Sequence, residues 1–192
     1  MTKIINSDSP LNPKPYSLET SSGFTLVETL VGVTLVLTTM LGPFVLAERS
    51  IFQASITQNQ IIATYLAQEG IEFIRNTRDN NFLQGNNWIN GSSLNNCLNS
   101  NGCYVDPLAS GGAPKINQCS GNDGCPVVSY NSTTGYYTHS GFDLAPTPFV
   151  RTVKIDKLPG NDEAEVEVTV NWQERSGPKS FVMTENIFNW RK

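Results

Sequence analysis

The sequence predicts an α+β fold in which a long N-terminal helix packs on a C-terminal three-stranded antiparallel sheet. Two observations predict the helix: residues 24–47 form an apolar run, and residues 48–79 continue it with apolar side chains at helical spacing. A third predicts the sheet, because residues 149–192 contain three strand-like segments. A leader, residues 1–23, precedes the helix, and a loop-rich, cysteine-containing region, residues 80–148, follows it.

The apolar run is long enough to cross a membrane. As a helix, residues 24–47 would extend roughly 36 Å, against a hydrocarbon core of about 30 Å. A cleaved secretory signal is the main alternative. Its apolar core is shorter, about 7–15 residues, and usually follows a basic segment, which is absent beside Gly23. We therefore predict a transmembrane helix.

Glu28 is the only charged residue between Gly23 and Ala47. A carboxylate at the centre of a bilayer costs roughly 2.5–3.5 kcal/mol on insertion scales. One explanation is that Glu28 lies one turn inside the helix, at the level of the lipid headgroups. The other is a positive partner, created if the chain is cut after Gly23. The new α-amino group of Phe24 would then lie at i, i+4 from Glu28, or a neighbouring chain would supply its own amine.

The sequence GFTLVE at residues 23–28, followed by the apolar run, resembles the processing and methylation motif of type IV prepilins and of type II secretion pseudopilins. The resemblance implies that a prepilin peptidase cuts between Gly23 and Phe24. It also implies N-methylation of Phe24. Glu28 would correspond to the family's glutamate, which pairs with the N-terminus of a neighbouring subunit during assembly.

The same resemblance implies a function. The chain would be a structural subunit, a minor or major pilin, of a bacterial type IV pilus-like filament. A type II secretion or competence pseudopilin is the alternative, and a non-polymerising, membrane-anchored adhesion protein is an alternative of another class. The implied topology is a single membrane pass with a cytoplasmic leader and an extracytoplasmic C-terminal head. The implied partners are other pilin-like subunits, the prepilin peptidase, the inner-membrane assembly machinery and, before assembly, the lipid bilayer.

Two features are expected along the helix. Gly42 and Pro43 predict a kink, since proline removes a backbone donor and disfavours helix at the preceding residue. Further on, an amphipathic stripe is predicted to pack on the globular part, and the helix is expected to end near residues 79–81. The stripe comprises Phe52, Ile56, Asn59, Ala63, Leu66, Gly70 and Phe73.

The four cysteines form two similarly spaced pairs in Asn/Gly-rich sequence, Cys97 with Cys103 and Cys119 with Cys125. Zinc ligands usually lie two to four residues apart, so five intervening residues fit zinc poorly. Two short-loop disulfides, Cys97–Cys103 and Cys119–Cys125, are predicted, and they indicate an oxidising compartment. A crossed pairing, a zinc site and free thiols remain as alternatives.

The strand predictions rest on turns and alternation. VVSY and YYTH flank a turn at residues 131–135 and predict a hairpin. Within residues 149–192, the segment AEVEVTVNW alternates apolar and polar side chains, which predicts a strand with one buried face. Short turns near residues 159–163 and 176–178 make an antiparallel meander of three strands the simplest arrangement.

The sequence gives little support to an enzyme or a nucleic-acid-binding protein. Its single histidine, His139, is expected at the surface, and no hydrolase, metalloprotease or phosphate-loop motif is present. We predict no catalytic residues, no cofactor and no metal site; a calcium loop fits poorly because cysteine occupies the first ligand position. The net charge of −4 argues against nucleic acid, although folding can still create a basic groove.

Overall fold

The computed structural model describes residues 23–90, 93–109 and 115–190. The predicted leader therefore lies outside the described residues, apart from Gly23. The chain divides into two compact units, Met1–Arg49 and Ser50–Lys192. One α-helix, α1, runs from Leu26 to Leu83. It continues through Pro43, so the kink predicted at Gly42-Pro43 does not end the helix.

In the first unit, every described residue is exposed. This part of α1 carries Gly32, Gly42 and several threonines among its apolar side chains, and the hydroxyl groups of four of these threonines have hydrogen-bond partners. Thr29, Thr34, Thr38 and Thr39 each donate to a backbone carbonyl three or four residues earlier. Such bonds satisfy polar side chains within the helix itself, so the surface presented to the surroundings is almost wholly apolar.

In the second unit, one face of α1 is buried in the core. The predicted stripe is confirmed at Ala63, Leu66 and Gly70, which are buried, whereas Phe52 is 42% exposed and lies outside the core. Gly70 lies close to the sheet. A Cβ built there would lie 3.1 Å from a methyl carbon of Val168, so only a very small residue fits. The helix–sheet packing predicted from the sequence is present within this unit.

The prediction of a three-stranded sheet is wrong, because the antiparallel sheet has seven strands. The strands are β1 (Cys103–Val105), β2 (Ile116–Gln118), β3 (Val127–Asn131), β4 (Tyr137–Thr138), β5 (Leu144–Lys157), β6 (Glu163–Glu174) and β7 (Gly177–Phe188). A 3-10 helix, Ser93–Cys97, precedes β1. The predicted meander exists as β5, β6 and β7, and the predicted hairpin exists as β3 and β4.

The difference arises from β5, which is longer than predicted. It begins at Leu144 rather than Phe149, and its extra residues pair with β3, including Ser129 with Pro146. Pro146 and Pro148 give this segment no strand signal in the sequence, because proline is rare inside strands. Strands β1, β2 and β4 have two or three residues each, too few to show a periodic pattern. β1 joins β5 at one position, Cys103 with Val153.

The buried face of the sheet is the one that alternation predicted. From Ala164 to Trp172, the even-numbered residues of β6 are buried in the core and the odd-numbered ones are not. On the buried face lie Ala164, Val166, Val168, Val170 and Trp172, none more than 7% exposed. Together with the buried face of α1 they form about half of one hydrophobic core.

Candidate functional site

The predicted cleavage junction is exposed, and no packed neighbour requires a glycine at position 23. Phe24 is 78% exposed and precedes the helix. No heavy atom lies within 4 Å of the position that a Cβ would occupy at Gly23, and its φ lies outside the left-handed region. Neither packing nor backbone conformation therefore explains a glycine here.

The structure gives Glu28 a local role that the sequence reasoning did not consider. Thr25 caps α1: its Oγ1 accepts a hydrogen bond from the backbone N–H of Glu28 at 3.2 Å. The pattern Thr-x-x-Glu at a helix start is that of a capping box, and a carboxylate in the first turn also interacts favourably with the helix dipole. This signal was readable from the sequence. The bond itself involves only the backbone of Glu28, and the interaction of its carboxylate with the helix dipole is a local effect that needs no partner chain.

The expected i, i+4 relation between Phe24 and Glu28 does not hold in this structure. Because α1 begins at Leu26, Phe24 lies before the helix rather than one turn below Glu28 on the same face. Glu28 is exposed, and within the described part of the chain no ion pair includes it. Its carboxylate therefore faces outward and is accessible to a partner outside the chain.

Among the described residues, α1 is the one helix long and apolar enough to cross a membrane, and none of its most apolar 18-residue window is buried. Its exposed side chains include Leu30, Leu35, Met40 and Phe44, at 59–66% exposure. So large an apolar surface is unfavourable in water. It is compatible with a single-pass membrane protein.

The cysteines form the disulfides Cys97–Cys103 and Cys119–Cys125, the pairs favoured by their spacing. The two bridges lie side by side: the Cys119 backbone N–H donates to the carbonyl of Gly102 at 3.0 Å. Cys97 and Cys103 are fully buried, whereas residues 120–124 are exposed. The first bridge therefore belongs to the core, and the second closes a surface loop.

A buried arginine joins α1 to the sheet. Arg151 on β5 is 1% exposed and donates to the backbone carbonyls of Leu66, at 3.1 Å, and Val105, at 2.7 Å. It also forms an ion pair with Glu69 at 2.5 Å, whose side chain is 38% exposed. The sequence did not reveal this residue, because its partners lie 85, 46 and 82 positions away. Its role is to hold the elements of the core together.

His139 lies in an environment that disfavours its charged form, contrary to the surface position expected for it. It is partly buried, with its ring 4.8 Å from that of Tyr104, and neither ring nitrogen makes a hydrogen bond of good geometry within the described residues. Burial, followed by the charge of Arg151, lowers the pKa of His139, against opposing effects of Asp106 and the Val127 backbone. Asp106 accepts hydrogen bonds from the hydroxyl groups of Thr138 and Ser140, and these bonds stabilise the segment that contains His139.

Within the described residues, no group of three or more His, Cys, Asp or Glu side chains is placed to hold a metal ion. Comparison with protein-family models, with curated proteins and with solved structures found no match. The features of this chain that bear on its function are the helix start, the apolar helix and the disulfides.

Proposed function

We propose that this chain is a structural subunit, a minor or major pilin, of a type IV pilus-like filament. It is inserted in the membrane through the first part of α1, cut between Gly23 and Phe24, methylated at Phe24 and assembled through its apolar helix. The observation that carries the proposal is the sequence GFTLVE at residues 23–28, standing at the exposed start of that helix.

The exposed apolar surface of α1 supports assembly. In the bilayer this surface contacts lipid, and in a filament the same surface would contact the helices of neighbouring subunits. Because lipid chains and aliphatic side chains are similarly apolar, packing and polar pairing decide the association, and the hydrophobic effect contributes little to it. A specific polar contact in this region therefore has a large influence on which subunits join, and in what register.

Glu28 is the residue proposed to make that contact. After cleavage, the α-amino group of Phe24 in an incoming or neighbouring subunit is the cation available at the same depth. Opposite charges about 4 Å apart interact by about 1 kcal/mol in water and about 4 kcal/mol at an effective dielectric constant of 20. An unpaired amine buried among apolar helices costs more than the pair gains, so loss of Glu28 is expected to block incorporation.

The disulfides support an extracytoplasmic location for the second unit. Both bridges are short loops in Asn/Gly-rich sequence, and such bonds persist in oxidising compartments but are rare in the cytosol. With the leader on the cytoplasmic side, a single pass through α1 places the second unit outside. This topology is the one in which the peptidase and the assembly machinery meet the junction at the inner membrane.

The first experiment determines the N-terminus of the mature protein from native cells by mass spectrometry. We expect a chain that starts at Phe24 with a methylated amine. A mature start at Glu48 would identify a conventional secretory signal and would reject the proposal. Gly23→Phe is expected to abolish cutting, since a bulky side chain before the scissile bond would not fit a site that accepts glycine.

The second experiment separates the charge of Glu28 from its position in the cap. Glu28→Gln keeps the backbone N–H that bonds Thr25 Oγ1 and removes only the charge. The matched control is Glu48→Gln, an exposed glutamate on the same helix. We expect both variants to be inserted and cut, and only Glu28→Gln to be missing from sheared filaments. If Glu28→Gln enters filaments as well as the wild-type protein does, the local role of this residue at the helix start explains it and the assembly role is rejected. If wild-type cells have no filament that contains this chain, an adhesion protein is favoured.

A further inference from the structure

We propose that a cleft between α1 and the β3–β4 hairpin binds a single neutral sugar ring, as at the end of a glycan. The cleft has a volume of about 250 Å³. Pockets for drug-sized molecules usually measure about 300–1,000 Å³, so this one suits a ligand of one ring. Its lining combines three tyrosines with an aliphatic side chain, a carboxylate and a glycine: Tyr65, Tyr136, Tyr137, Leu66, Glu69 and Gly135.

Two of the tyrosines are more exposed than folding requires. Tyr65 is 68% exposed and Tyr136 is 60% exposed. A ring left in water adds little to the stability of the fold, because hydrophobic stabilisation grows with the area that is buried. Exposed aromatic side chains on a rigid scaffold are typical of surfaces that bind another molecule. Here both rings line the same cleft.

The hairpin side of the cleft is held in one conformation. In the turn before Tyr136, Asn131 Oδ1 accepts hydrogen bonds from two backbone N–H groups, at 3.0 and 2.8 Å. Gly135 has a φ of 77°, which glycine adopts without strain, and its N–H donates to the carbonyl of Asn131 at 2.9 Å. The ring of Tyr137 packs against that of Tyr130, with 5.4 Å between the ring centroids. Because this wall is already formed, a ligand pays little to order it.

One carboxylate oxygen in the cleft is free to accept a hydrogen bond. The side chain of Glu69 is 38% exposed, and its Oε2 pairs with Arg151 at 2.5 Å. Within the described part of the chain, no hydrogen bond reaches Oε1. A sugar hydroxyl that donates to this oxygen forms a charge-assisted bond, which is stronger than a bond between neutral groups.

Charge and polarity favour a sugar over other ligands of one ring. Cations are attracted to tyrosine rings, but Glu69 is the one charged group in the lining and Arg151 already neutralises it. A wholly apolar ligand would cover Oε1 without bonding it, and an unbonded charged acceptor is costly. A sugar has a face of C–H groups that can lie on an aromatic ring, and hydroxyl groups that donate to the carboxylate. It therefore satisfies both kinds of surface in the cleft.

This inference goes beyond the proposed function and can fail separately from it. All the lining residues belong to the second unit, whereas the cleavage junction and Glu28 belong to the first. A chain that is cut after Gly23 and enters filaments without binding sugar would reject this inference alone. Sugar binding by a chain that is neither cut nor assembled would reject the proposed function alone.

Saturation-transfer NMR of the full-length protein in a polyoxyethylene detergent tests the proposal. This detergent has neither a sugar nor an ammonium headgroup that could fill the cleft. The probes are the methyl glycosides of glucose, galactose and N-acetylglucosamine, and choline serves as the cationic alternative. For a ligand of this size we expect at least one glycoside to bind with a dissociation constant of about 1 mM, and to receive saturation from the tyrosine rings at its C–H groups.

Tyr65→Ala and Tyr136→Ala are each expected to raise this dissociation constant by about tenfold, because each removes a ring that contacts the sugar. Tyr136→Phe keeps the ring and should raise it less. The matched control is Phe142→Ala, which removes a 91% exposed ring outside the cleft and should leave binding unchanged. The removed rings are exposed, so all these variants should keep the wild-type denaturation midpoint.

Three results would overturn the proposal. The first is the absence of transfer to every glycoside at ten times the expected dissociation constant. The second is wild-type binding by both Tyr65→Ala and Tyr136→Ala. The third is tighter binding of choline than of any glycoside.

Discussion

Replacing Arg151 with methionine should destabilise the second unit by about 3 kcal/mol. The substitution removes the donors to the carbonyls of Leu66 and Val105, and each buried acceptor left unsatisfied costs about 1–3 kcal/mol. The lower end of that range applies to Leu66, whose carbonyl lies inside α1, and a cost nearer the middle applies to Val105, because its three-residue strand pairs with β5 only at Cys103. The ion pair with Glu69 adds at most about 1 kcal/mol, since that carboxylate is 38% exposed and screened by solvent.

Denaturant unfolding of the full-length protein in detergent measures this change. Trp88 and Trp172 are 5% and 7% exposed, so their fluorescence reports loss of the core around Arg151. The matched control is Glu69→Gln, which removes the charge but keeps an acceptor, and its expected cost is no more than about 1 kcal/mol. If Arg151→Met costs no more than Glu69→Gln, the two carbonyl contacts do not contribute to stability and the reasoning is refuted.

Three further perturbations test the packing, the disulfides and the buried histidine. Gly70→Leu should destabilise the second unit by about 1–3 kcal/mol, because even a Cβ lies 3.1 Å from Val168; an unchanged denaturation midpoint would contradict this. Replacing Cys97 and Cys103 together by alanine should cost about 2 kcal/mol for so short a loop, measured by the same unfolding experiment, and no loss would show that the bridge is dispensable. The lowered pKa of His139 means that the unfolded chain binds the proton more readily, so this residue contributes a loss of stability as the pH falls below 6.5. His139→Gln should remove that loss, and an unchanged pH dependence would exclude the histidine as its source.

Local patterns determined the long helix and the main strand of the core. The apolar run and the stripe containing Leu66 and Gly70 repeat at helical spacing, and β6 alternates at every position, so each pattern needs only neighbouring residues. The same holds for the cysteine pairs, whose members lie six positions apart. The cap at Thr25 was also predictable, since the pattern Thr-x-x-Glu is a local signal.

The tertiary structure alone decided the extent of the sheet and the contacts that fix the core. Strands β1, β2 and β4 are too short to have a period of their own, and they form because β5 offers a partner to β1, β1 to β2 and β3 to β4. Arg151 looks like an ordinary strand residue until folding brings it beside carbonyls 46 and 85 positions away. The cleft between α1 and the β3–β4 hairpin likewise exists only because folding brings residues 62–69 beside residues 135–137. Pairing over such separations depends on the whole chain, and a single segment does not encode it.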